Sequence, residues 1–97
     1  MDILTIEHFT PHAGKTVRFK GTLYAFVLDR VEGDSGPPPA GYLRAPFVVI
    51  FRGSSKTDVM PAGIYECEID GGPTYSLHVM PIQTSRPDRQ EYQSAFN

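Results

Sequence analysis

The chain contains no tryptophan and a single cysteine, Cys67. No internal disulfide can form, so nothing staples the protein for an oxidising compartment. It also lacks any apolar run approaching the roughly 18 to 20 residues that a membrane helix needs. Neither sign of charge is in excess: nine basic residues against eleven acidic ones leave a net charge of -2. The basic residues are scattered from Lys15 to Arg89, which leaves no footprint for nucleic acid or an anionic bilayer. The opening run, Met1 to Glu7, has neither the basic region nor the long apolar core of a signal peptide. The expected location is therefore cytoplasmic, or exported as part of an assembly without a signal peptide. Long helices are excluded as well, because nine glycines and nine prolines punctuate the 97 residues. What is there suffices for a folded core: 40% hydrophobic and 11% aromatic residues argue against disorder. That length is one domain's worth of chain, so residues 1–97 are expected to form a single β domain.

Thr5 is a suitable N-cap for a short helical turn that Pro11 and Gly14 stop quickly. From Lys15 to about Val31 the pattern becomes strand-like, with Val17, Phe19 and Leu23 on one parity. Phe26 and Leu28 fall on the other parity, which predicts a bulge or bend between Gly21 and Phe26 in one long strand. Gly33 to Leu43, rich in glycine and proline, cannot supply ladder donors and reads as an exposed loop with a polyproline II centre. Phe47 to Phe51 is apolar on both faces, as in a central, covered strand. Ile64 to Asp70 alternates cleanly, with Tyr65, Cys67 and Ile69 inward and Glu66, Glu68 and Asp70 outward. The next hairpin needs an odd loop to match apolar residues. Its expected register sets Ile69 opposite Tyr75, Cys67 opposite Leu77, Tyr65 opposite Val79, and Glu66 opposite His78. Arg86-Pro87-Asp88-Arg89 has proline at the second position of a good turn, and Glu91 to Asn97 alternates once more. The expected fold is mainly β: a small antiparallel five-stranded barrel or compact sandwich with a short N-terminal helical turn.

Candidate chemistry is sparse. His8 and His12 stand four apart, a metal-ligand spacing on a helix, but Pro11 interrupts that helix and no third ligand is near. Cys67 sits in an inward set and reads as a small buried hydrophobe rather than a nucleophile. Glu66, Glu68 and Asp70 read as the solvated side of a sheet. No phosphate cradle opens a helix at Gly33, Gly36, Gly71 or Gly72. No catalytic group, cofactor or metal site is therefore expected, and the chain is not expected to be an enzyme.

Several features carry a family resemblance: Leu4-Thr5 and Phe9 leading to Gly14, and Ala45-Pro46-Phe47-x-x-x-Phe51-Arg52-Gly53. Pro61-x-Gly63-x-Tyr65 and a close in Tyr92-x-x-x-Phe96-Asn97 complete it. Over nearly its whole length the chain resembles a family of small stand-alone bacterial proteins known as a domain of unknown function. That family is associated with the gene neighbourhoods of phage-tail-like and tail-collar proteins. The resemblance implies an accessory or assembly role and transfers no site residues.

The expected function is a non-enzymatic protein-interaction module linked to a tail-like or fibre assembly. Its expected surface is the loop at Pro37, Pro38, Pro39 and Tyr42, with a free strand edge at Tyr92 and Phe96. Self-association or a protein partner is expected there, and neither nucleic acid nor membrane. The rival is a small-ligand- or carbohydrate-binding barrel. It would use a polar interior near Tyr24 or Tyr65, or exposed aromatic rings such as Tyr42, Tyr75 or Tyr92 on one face.

Overall fold

The computed structural model describes residues 3–33, 37–55 and 57–96. Two 3-10 turns, Ile6–His8 and Thr10–His12, lead into six strands. These are β1 (Thr16–Phe19), β2 (Ala25–Gly33), β3 (Phe47–Gly53), β4 (Gly63–Ile69), β5 (Thr74–Ile82) and β6 (Gln90–Phe96). They close into an antiparallel barrel in the order β1-β2-β3-β6-β5-β4. Thr5 caps the first turn as expected: its N–H donates to His8 Nδ1 at 3.0 Å, and the His8 N–H donates to its carbonyl at 3.0 Å.

The strand count corrects the expected five, because the long first strand is a hairpin. Gly21 takes a φ of 79°, and the Thr22 hydroxyl donates to the Phe19 carbonyl at 2.7 Å. This turn, not a bend in one strand, produces the change of parity between Phe19 and Phe26. Leu23, expected inward, lies on the turn and is 104% exposed. A bulge does occur, but further on. The β2–β3 ladder pairs Leu28 with Phe51 and then Arg30 with Ile50, leaving Asp29 as the extra residue. Leu28 and Val31 both pack on the core across it, and Asp29 and Arg30 both face outward.

Strand β4 meets β5 two residues away from the expected register. Cys67 lies opposite Tyr75, Tyr65 opposite Leu77, and Glu66 opposite Ser76 instead of His78. Apolar still faces apolar, since a shift of two leaves every side chain on its own face. The loop decides between the registers: Gly71 adopts a φ of 70°, and the Ile69 N–H donates to the Pro73 carbonyl at 3.1 Å. Glu66 finds its ionic partner in Lys20 at 3.8 Å.

The C-terminal strand is no free edge at Tyr92. It pairs with β3 along its whole length and with β5 through Glu91 to Gln93. Closure turns its inward residues into core. Tyr92 is fully buried and stacks on Phe26, ring centroids 4.3 Å apart. Phe96, only 9% exposed, stacks on Phe47 at 4.5 Å. One end of the barrel is plugged by Phe9, whose ring lies 5.2 Å from Tyr75 and 5.4 Å from Phe96.

Where β2 ends, Gly33 takes a φ of 150°, and a Cβ there would lie 2.7 Å from Phe47 Cβ and 2.9 Å from the Pro46 carbonyl. Rigid neighbours leave such a Cβ no room. Gly33→Ala is expected to cost about 1 to 2 kcal/mol through backbone strain, read as a lowered midpoint in urea.

Candidate functional site

Two surface regions stand outside the aromatic interior. One is the connection from β2 to β3, of which residues 34–36 lie outside the described residues. Pro37, Pro38 and Pro39 are exposed. The Tyr42 N–H donates to the Pro39 carbonyl at 3.0 Å, and Gly41 supplies the positive φ of 86° that such a turn requires. Tyr42 is left 52% exposed and Leu43 83%. Arg44 then ties the segment to the plugged end of the barrel. Its Nη1 donates to the Leu4 carbonyl at 2.8 Å, and its guanidinium carbon lies 5.1 Å from the centre of the Phe96 ring.

The other region is a cluster of opposite charges on the outer wall, where β2, β3 and β6 run side by side. The bulge places Asp29 and Arg30 next to each other. Register places Arg52 beside Glu91, and the turn at 87–88 delivers Arg89. Arg30 Nη1 lies 2.6 Å from Asp29 Oδ2 and 3.4 Å from Glu91 Oε2, while its Nε donates to Glu32 at 2.9 Å. Arg52 Nη1 donates to Asp29 Oδ1. Arg89 Nη2 donates to Glu91 Oε2 at 2.5 Å and sits 3.6 Å from Asp29 Oδ2. The carboxylates lie deepest, with side-chain exposures of 15% for Asp29 and 6% for Glu91.

Burial alone would raise both carboxyl pKa values, but the arginines outweigh it. Hydrogen bonds from Arg30 and Arg52 hold Asp29 below its ordinary value, and those from Arg89 and Arg30 do the same for Glu91. Arg30 is pushed up in turn, first by its bond to Glu32 and then by Asp29. Arg89 lines a cavity of about 600 Å³ with Arg30 and Arg86, one of about 430 Å³ with Pro87 and Gln90, and one of about 330 Å³ with Arg52 and Ser54.

A family model described as a domain of unknown function (DUF6916) matches residues 4–96. The chain belongs to this family. No curated protein and no solved structure matches it. The resemblance read from the motifs at Leu4, Ala45, Pro61 and Tyr92 thus agrees in kind, an uncharacterised family spanning most of the chain.

Of the candidate surface residues, Pro37, Pro38, Pro39 and Tyr42 share the exposed connection. Tyr92 and Phe96 are part of the core and offer no surface. Of the rings offered for a carbohydrate face, Tyr92 is buried and Tyr75 packs on Phe9, while Tyr42 is exposed. Tyr24 and Tyr65, proposed to line an interior pocket, instead secure the connection from β3 to β4. The Tyr24 hydroxyl donates to Asp58 at 2.7 Å and the Tyr65 hydroxyl to the Pro61 carbonyl at 2.6 Å.

His8 serves the N-terminal cap, and His12 Nδ1 lies 3.1 Å from Lys15 Nζ. Among the described residues no three His, Cys, Asp or Glu side chains are grouped to hold a metal, and no helix is long and apolar enough to cross a membrane. Cys67 is 1% exposed, and burial pushes its thiol up to about 12. Its labelling by a bulky thiol reagent is accordingly expected only after denaturant is added, whereas rapid labelling of the native protein would contradict the burial.

The charge cluster was missed from sequence because its members are spread from Asp29 to Glu91. One signal pointed to it: Asp29-Arg30, two charges in succession between the apolar Leu28 and Val31, interrupts the period-two pattern as a bulge does.

Proposed function

We propose that the chain is a non-enzymatic protein-interaction module, an accessory of a tail-like or fibre assembly, that meets its partner through Pro37 to Leu43. One contrast carries this reading. Rings from Phe9, Phe19, Phe26, Phe51 and Tyr92 occupy the barrel interior, while Leu43 is held 83% exposed on an anchored turn. An exposed apolar side chain beside a tyrosine and three prolines offers binding area at small ordering cost. A ligand-binding barrel would instead need its interior for the ligand. Strand addition at Tyr92 has no place in the proposal, because closure pairs Glu91 to Gln93 on both sides. The tail-like setting rests on the family resemblance.

The test is a photo-crosslinking phenylalanine analogue placed at position 43 in the producing cell. It should trap one defined protein, a tail or fibre component, and the same analogue at exposed Met80 should not. Deleting Ser35 to Ala40 should abolish the crosslink while leaving the melting temperature nearly unchanged, since shortening a surface loop alters closure entropy only slightly. Equal trapping from both positions, or none from either, would remove the reading.

A further inference from the structure

Leu23 is the most exposed large apolar side chain among the described residues, at 104%. It stands on the turn between β1 and β2, and hydrogen bonds brace that turn around it. The Tyr24 N–H donates to the Thr22 hydroxyl at 3.0 Å, and the Tyr24 carbonyl accepts the Phe19 N–H at 3.2 Å. A leucine held out on a braced turn is a preformed knob, with little backbone freedom left to lose on binding. A socket opens two residues further along the chain. The cavity of about 330 Å³ is lined by Ala25, Phe26, Val27 and Gly53, together with Arg52 and Arg89. Gly53 admits the Phe26 ring, since a Cβ there would lie 2.8 Å from its Cε1. The volume is at the lower end of small-molecule sites, about 300 to 1,000 Å³, and suits an aliphatic side chain. The two arginines are compensated within the chain, Arg52 by Asp29 and Arg89 by Glu91, so an apolar occupant strips water from no unpaired cation. Charge also fits a second copy. Beside the knob, Lys20 is held only loosely, 3.8 Å from Glu66. Asp88, which also lines the cavity, is held as loosely, 3.7 Å from Arg86.

We propose that the chain forms a two-fold dimer in which Leu23 of each copy seats in this cavity of the other. Knob and cavity adjoin on one chain, so a single axis seats both leucines at once and sets each Lys20 toward the other copy's Asp88. One knob and one cavity per copy fall short of the about 800 Å² per partner of a stable dimer, so the association is weak and depends on concentration. The surface is separate from Pro37–Leu43 and does not depend on that reading.

Sedimentation equilibrium of the full chain up to about 1 mM, the weak end of specific association, should show a monomer in exchange with a dimer. Leu23→Asp removes both knobs without touching the core and should weaken the dimer about hundredfold or more, at about ten- to hundredfold for each leucine. Ala25→Phe, which fills the cavity and keeps the knob, should weaken it as well. In an equal mixture of isotope-labelled and unlabelled wild-type chains, the Leu23 methyls should give intermolecular nuclear Overhauser effects to the Phe26 ring. Three results would overturn the proposal: a wild type that stays monomeric throughout, which would leave the cavity to a different occupant, a dimer that survives either substitution, or intermolecular contacts that omit Leu23. Should Ala25→Phe fail to fold, the wild type and Leu23→Asp still decide.

Discussion

Replacing Tyr92 with alanine is expected to destabilise the fold by about 3 to 5 kcal/mol, the usual cost of removing a large aromatic side chain from a packed core. The ring is fully buried and stacked on Phe26, so its removal leaves a cavity in the middle of the barrel. A second loss comes from the hydroxyl, which accepts the Met60 N–H at 3.0 Å and so ties the connection between β3 and β4 to the core. Tyr92→Phe separates the two effects: it keeps the ring but leaves a buried N–H unpaired, at about 1 to 3 kcal/mol. Urea unfolding of the two variants checks the ordering. A Tyr92→Phe variant as unstable as Tyr92→Ala would mean that the stacking contributes little.

Glu91→Ala is expected to cost about 3 kcal/mol, near the lower end for breaking a buried ion pair, because Asp29 remains to hold Arg30 and Arg89. The same groups set a dependence on pH. Asp29 and Glu91 are held below their ordinary values of 3.8 and 4.5. Their contribution is complete above those values, and it is lost as pH falls through the lower, folded-state values. The melting temperature should therefore begin to drop below about pH 4.5 and fall further through the acid range. A Glu91→Gln variant should show a shallower drop from a lower starting point. Parallel melting curves for the two proteins between neutral pH and pH 3 would rule out Glu91 as a source of the acid sensitivity.

The faces of the strands were legible in the sequence where alternation is unbroken. Val17 and Phe19 point inward, as do Cys67, Ile69, Leu77 and Val79, and the acidic trio Glu66, Glu68 and Asp70 points out. Parity, however, is blind to three things that shaped this molecule. It cannot tell a hairpin from a bend, so the turn at Gly21 passed as an irregularity in one strand. It cannot detect a register shift of two, so the β4–β5 pairing moved without altering a single face. Nor does it say which strands meet last, and closure is what buried Tyr92 and Phe96. The exposed prolines and Tyr42 were legible because backbone without donors has no place in a ladder. The charge cluster was not, because it exists only where three strands and a turn converge.

The strand order β1-β2-β3-β6-β5-β4 has a consequence for how the chain assembles. Each set of three consecutive strands is a meander built from neighbours in sequence, and only two seams, β3 with β6 and β1 with β4, join the sets. The molecule is in effect a heterodimer of two meanders on a single tether, residues 54–62. A short tether of this kind holds its ends at an effective concentration in the millimolar range. The seams therefore need only the affinity of a modest complex to form a barrel that neither half could close alone.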